Sequence, residues 1–276
     1  MGNFEVLARR FADANLHAEV VERQTQRVSS WTSGALAADV FQMTILGKGR
    51  EEYFRIWPGA RTNRIEAEGI DPERRQLVLM VHEPVRTFEE QLSKRRVELD
   101  RTKVKVVRED RYFVWIEHRT DARKRHFLCG RDERQLFICQ LPRAVTTVRD
   151  AHTVLRAPEA MRSKGKVARQ GEWFFVEPTA KELDALASAL CGIRTIVRRS
   201  WPIGRGGNPH VADQLVVVPA AVVGKKLVAR AVFARGRVRH VDHDTVYLSS
   251  WAKVVRNTEP VADDGIARMD GIRWID

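Results

Sequence analysis

Between residues 39 and 141 the chain is cut into short apolar runs by glycine, proline and aspartate, a spacing that suits strands better than helices. Residues 39–46 and 51–57 flank Gly47-Lys48-Gly49, a short turn with two glycines. Residues 64–68 and 76–82 flank Ile70-Asp71-Pro72-Glu73-Arg74, a proline-containing turn. In the second of these runs Leu77, Leu79 and Val81 alternate, so they share one face. Segments 103–107, 112–118, 125–129 and 135–141 continue the series, with turn residues between them. Helical periodicity is rarer. Phe4, Leu7, Ala8, Phe11, Ala14, Ala18 and Val21 recur in steps of three and four, which predicts an amphipathic helix from 4 to 21. Residues 87–100 are charged and mostly helix-forming, and a short helix is expected over 145–155.

Residues 158–170 hold Pro158, Gly165 and several basic residues with little periodicity, so they read as a linker. Beyond them Gly171 to Val176 reads as an aromatic strand. Thr179-Ala180-Lys181-Glu182 has the spacing of a capping box and predicts a helix to about Leu190. Strands are expected over 194–200, 213–218, 227–234, 237–241 and 246–255. The predicted fold class is therefore α+β and strand-rich. An antiparallel sheet with flanking helices occupies 1–157, a basic linker 158–170, a smaller mostly-β domain with one helix 171–258, and an acidic tail 259–276. The tail reads as exposed, with Ile272 and Trp274 able to dock.

A hydrophobic content of 43% is that of a globular chain. The first 25 residues are too charged for a secretory signal, and the most apolar stretch, 215–224, is broken by Pro219 and is far shorter than the ~20 residues a spanning helix needs. The expected location is cytoplasmic, with no membrane partner. Cys129, Cys139 and Cys191 form no CxxC pair and sit among apolar neighbours, which predicts buried reduced thiols. The net charge of +12 is uneven: residues 161–256 carry 17 basic and 7 acidic side chains. Such an excess suits a polyanionic partner, DNA or RNA. Arginine outnumbers lysine 37 to 11, as a GC-rich genome would write regardless of function.

Two stretches carry candidate chemistry. In Arg239-His240-Val241-Asp242-His243-Asp244, strand alternation puts His240 and Asp242 on one side, and a bend at 243 would bring His243 to them. Imidazole and carboxylate together suit zinc, manganese or proton transfer near neutral pH. His210, after the glycine-rich stretch 204–207, is the nearest further ligand, with Glu172 and Asp213 as carboxylate alternatives. The candidate metal ligands are thus His210, His240, Asp242 and His243, and the candidate catalytic pair is Asp242 and His243. The stretch resembles the last three positions of the His-x-His-x-Asp-His signature of metallo-β-lactamase-fold hydrolases. Val238 replaces its first histidine and no histidine follows His243, so nothing of that family is carried over.

The second stretch is basic. Arg235, Arg237 and Arg239 alternate, so all three share a strand face that is too costly to bury unpaired. With Arg198, Arg199 and Arg205 they are the candidate phosphate contacts, and Trp173, Trp201, Phe233, Tyr247 and Trp251 are candidate stacking partners or core. Residues 1–157 offer no readable chemistry, and a binding, scaffolding or dimerising role suits them. Three readings follow: a nucleic-acid-binding protein, a hydrolase using one divalent ion, or a non-enzymatic assembly protein.

Overall fold

The computed structural model describes residues 3–21, 40–95, 97–133, 135–163, 165–191, 197–203, 209–223, 226–259 and 272–274. They form two compact units. Unit 1 comprises residues 1–131, 136–151 and 260–276, and unit 2 comprises 132–135 and 152–259. Both are built mainly of antiparallel strands, as the turn spacing predicts. No helix among the described residues is long and apolar enough to cross a membrane.

In unit 1, helix α1 (Asn3–Asp13) buries Leu7 and Phe11. It is shorter than its apolar periodicity suggests. Asn15 takes a left-handed φ of 55°, and the Leu16 N–H returns to the Phe11 carbonyl at 2.9 Å, which closes the helix. Of the remaining apolar positions, Ala18 instead opens strand β1 (Ala18–Val20), parallel to β3 (Tyr53–Trp57), and the Val21 N–H just beyond it donates to the Ile56 carbonyl at 2.9 Å. Strand β2 (Gln42–Leu46) pairs antiparallel with β3 across the predicted two-glycine turn. Gly47 is required there: its φ is +88°, and a Cβ would lie 2.3 Å from the Glu51 carbonyl oxygen.

Strands β4 (Arg64–Asp71) and β5 (Gln76–Glu83) form the hairpin predicted around Pro72. Segment 87–100 is not helical; it forms β6 (Arg86–Ser93) and β7 (Val97–Leu99). Eight-residue pairing of β6 with β9 (Phe113–Thr120) overrides its helix-forming composition, and Leu92 and Val97 turn inward. The three-stranded sheet is completed by β8 (Lys105–Glu109) on the other side of β9. Strands β10 (Arg123–Asp132) and β11 (Gln135–Gln140) extend the β4–β5 hairpin into a four-stranded sheet ordered β11-β10-β5-β4. The core of unit 1 gathers Phe11, Phe54, Ile56, Leu77, Leu79, Val81, Phe127 and Cys129.

Helix α2 (Val148–Leu155) matches the short helix expected there. In unit 2 the presumed linker is structured: it holds α3 (Pro158–Arg162), opened by proline at its first turn, and β12 (Ala168–Gln170). Strand β13 (Trp173–Val176) precedes α4 (Ala180–Cys191), where the capping box forms. The Thr179 N–H donates to Glu182 Oε2 at 2.9 Å, and the Glu182 N–H points back to Thr179 Oγ1 at 3.4 Å. Cys191, at the end of α4, is exposed, whereas Cys129 and Cys139 are buried.

Strands β14 (Arg198–Ile203), β15 (His210–Val218), β18 (Ala231–Arg239) and β19 (Val246–Arg256) join β12 and β13 in a six-stranded sheet. Its order is β12-β13-β19-β18-β15-β14. A separate small hairpin pairs β16 (Ala221–Val223) with β17 (Lys226–Val228). One face of the large sheet buries Phe175, Ile203, Ala212, Leu215, Ala234, Val238 and Leu248. The other is covered in part by α4, through Ala185 and Leu186 on Val216 and Phe233. Ala157 and Ala160, at α3, cover Phe174 and Val255. The tail is not wholly free: β20 (Ile272–Trp274) pairs antiparallel with β7 in unit 1.

Thr179→Ala removes the side-chain half of the capping box. It is expected to destabilise unit 2 by about 1 kcal/mol, read as a lower urea midpoint at unchanged slope.

Candidate metal centre

Cross-strand register builds the site. On β15 and β18, Val211 stands opposite Arg239, so His210 and His240 lie side by side at the ends of adjacent strands. The chain leaves β18 after Arg239, and residues 241–243 bend before β19 begins. That bend turns His243 back toward His240, where unbroken alternation would have sent it to the opposite face. The His210 and His240 rings stack with centroids 4.2 Å apart, and His243 lies 5.5 Å from His210 and 4.9 Å from His240. One nitrogen from each ring falls within 4.8 Å of the others.

Neighbouring residues hold this arrangement. Gln170, 3% exposed, donates from Nε2 to the Val238 carbonyl at 3.2 Å and to the Asp244 carbonyl at 2.6 Å, so the end of β12 ties down the 240–244 bend. Gly171 leaves the space in which two imidazoles meet. Its φ is +56°, and a Cβ there would lie 2.9 Å from His243 Nε2 and 3.2 Å from His210 Nε2. Any larger residue would be strained and would fill that space.

The carboxylates lie behind the rings. Asp242 Oδ2 is 3.8 Å from His240 Nδ1, and Glu133 Oε2 is 3.9 Å from His243 Nδ1. Glu133 also accepts the Asp244 N–H at 2.6 Å. His240 Nδ1 accepts the Asp242 N–H at 3.2 Å. For His240 to coordinate through Nε2, its proton must shift to Nδ1, toward the Asp242 carboxylate. Carboxylates placed in this way fix the tautomer of a ligating histidine. Asp242 thus stands beside the group of three ligand nitrogens and is not one of that group.

Two ring nitrogens, His210 Nε2 and His243 Nδ1, are buried and find no hydrogen-bond partner among the described residues. A buried, unpaired nitrogen is costly unless something fills its lone pair. Burial pushes the His210 pKa down from 6.5 to about 4; the nearby His240 and His243 rings lower it further, while Glu172 and Asp242 pull it upward. At neutral pH His210 is therefore an uncharged base, the form that binds metal.

Glu172 is close enough to act electrostatically on His210. Asp213, the other carboxylate alternative, is occupied elsewhere. It binds Arg237 Nε at 3.1 Å and Arg239 Nη2 at 2.8 Å, and the Arg237 backbone N–H and guanidinium hold its carboxyl below the usual range. Glu133 was not singled out in the sequence. It lies some 110 residues before His243, in a different hairpin, and its left-handed φ of 49° at a turn is its only local signal.

The candidate phosphate-binding arginines divide. Arg235, Arg237 and Arg239 point away from the buried Ala234 and Val238, so they do share a solvent-facing side. Arg235 donates to Gln214 Oε1 at 2.8 Å and lies 5.0 Å from the Trp251 ring centre. Arg199 pairs opposite Gln214 and is exposed. Arg198 sits 4.2 Å over Trp201 on the edge strand. Arg205 lies outside the described residues. Among the aromatics Phe233 is buried, Trp173 and Trp251 are half-buried, and Trp201 and Tyr247 are exposed. Comparison with protein-family models, with curated proteins and with solved structures finds no match to this chain.

The depressed His210 pKa has a consequence for the metal-free protein. The unfolded chain takes up a proton that native His210 refuses, so acid favours unfolding. Denaturation midpoints are expected to fall as the pH drops from 6.5 through about 4, and to fall less steeply in His210→Gln.

Proposed function

We propose that unit 2 binds one divalent transition-metal ion, zinc or manganese, through His210, His240 and His243, and uses it to hydrolyse a phosphodiester or similar bond. The observation that carries this reading is the convergence of three imidazoles around a buried, unpartnered His210 Nε2. Three neutral protein ligands are the complement of a catalytic zinc rather than a structural one, because a fourth position is left for water. A bound ion lowers the pKa of such a water toward neutrality. Asp242, behind His240 on its Nδ1 side, would hold that ring in the tautomer that coordinates through Nε2. His243 acts as a ligand in this reading, so its lone pair is not available for base catalysis. The basic excess of residues 161–256 suits an anionic substrate.

Isothermal titration of chelator-treated protein tests the metal site. The expected result is one equivalent of Zn²⁺ or Mn²⁺ bound, lost in His210→Ala and His243→Ala. At an ion concentration of 100 Kd, binding should stabilise the fold by about 2.7 kcal/mol. Retention of less than about a tenth of an equivalent would sink the proposal. Hydrolysis is tested on labelled oligonucleotides with and without the ion, and it should fall in Asp242→Ala.

A second reading has its own observation. Arg199, Gln214 and Arg235 form one row across β14, β15 and β18, and Tyr247, 73% exposed, pairs opposite Arg237. Arginines beside an exposed ring suit backbone contact with DNA or RNA and stacking of a base. Fluorescence anisotropy at two salt concentrations is expected to show steep salt dependence, with the log–log slope reduced by roughly one for each of Arg199 and Arg235 replaced by alanine. Unchanged slopes would leave the charge without a nucleic-acid role and favour the assembly-protein reading.

A further inference from the structure

The geometry points to a second binding site, in unit 1, for the phosphate group of a small organic ligand. A cleft of about 370 Å³ opens beside the end of α1, within the size range of small-molecule sites. Arg50, Arg75 and Arg131 line it, with His17 beside them. Glu52 is the carboxylate in that lining, and its Oε2 already accepts the Leu136 N–H at 2.8 Å. Arg50 and Arg75 against one committed carboxylate, Glu52, leave the cleft positive. Low-dielectric walls focus that field on whatever enters.

Arg75 is held in place before any ligand arrives. Its Nε and Nη2 donate to the Asn15 carbonyl at 3.2 and 3.0 Å, and Asn15 Nδ2 in turn donates to the Pro72 carbonyl at 3.2 Å. The Arg75 carbonyl accepts the Arg131 N–H at 3.0 Å. One edge of the guanidinium is thereby fixed by main chain, and its Nη1 is left to meet an anion. A planar guanidinium held in this way suits a phosphate oxygen.

The backbone supports the same reading. Arg75 has φ 55°, a left-handed conformation that closes the β4–β5 turn. Glycine or asparagine is the ordinary residue at such a position, since an arginine there is strained. The strain places a guanidinium at the cleft where the turn alone would be better served by glycine. Leu16 and Leu136 supply an apolar wall for the organic part of the ligand, and the paired guanidiniums of Arg50 and Arg75 favour a dianionic phosphate over a single carboxylate.

The test is titration calorimetry of the metal-free full chain with phenyl phosphate, inorganic phosphate and benzoate at fixed ionic strength. The expected result is saturable 1:1 binding, tightest for phenyl phosphate and weakest for benzoate. Arg75→Gly keeps the left-handed turn, so it should fold normally and bind phenyl phosphate about tenfold or more weakly, as loss of a charge-assisted hydrogen bond requires. Arg50→Gln should weaken binding in the same direction, and His210→Ala should leave it unchanged. The proposal is overturned by any of three results: no saturable binding, affinity unmoved in both arginine variants, or benzoate binding as tightly as phenyl phosphate.

Discussion

The pairing that sets Val211 of β15 opposite Arg239 of β18 governs most of unit 2. It points Ala212 and Val238 into the core and leaves Arg235, Arg237 and Arg239 on the solvent side. The same register carries His210 to the side of His240. A slip of one residue would reverse every one of these side chains, burying guanidiniums and dispersing the imidazoles. The apolar face therefore does more than stabilise the sheet. Its burial enforces the register on which the histidine cluster depends.

Strained backbone sits beside both candidate sites. Glu133, at φ 49°, reaches the His243 ring and the Asp244 N–H, and Arg75, at φ 55°, lines the cleft of unit 1. Neither residue type favours left-handed backbone. Each is held there by hydrogen bonds to parts of the chain far away in sequence, which is how a fold sustains local strain. Gly171, at φ +56°, plays the complementary part, since its missing side chain leaves room for two imidazole nitrogens.

Charge is handled locally. Asp213 clamps Arg237 and Arg239, and Lys253 is shared between Glu159 and Glu182 on the helix-covered side of the sheet. The Asp213 pairs are partly exposed, and pairs of that kind contribute about 0–1 kcal/mol each, so their main effect is to orient side chains. They also lower the number of arginines free to meet a polyanion. The row of Arg199 and Arg235 is left with neutral neighbours, Gln214 and Trp251, and not with acids.

What could be read directly was whatever depends on near neighbours in sequence. Turn residues and period-two alternation located most strands from β2 to β11, and the capping box located α4, because those signals act over four residues or fewer. The strand-rich α+β class followed from them. Readings failed where a distant segment decided the outcome. Segment 87–100 became β6 and β7 because β9 and β20 supply their partners, and the apolar tail of the first helix went to β1 because β3 offers it an edge. The histidines were visible as residue types, but their meeting was not. It needs the β15–β18 register, the bend at 241–243 and the Gly171 gap. Glu133 and the arginine cleft were not visible at all, since their members come from separate hairpins. The sequence determined which strands could form and which side chains were chemically able to act. Only the tertiary structure decided which of them stand together, because long-range pairing and burial set that choice.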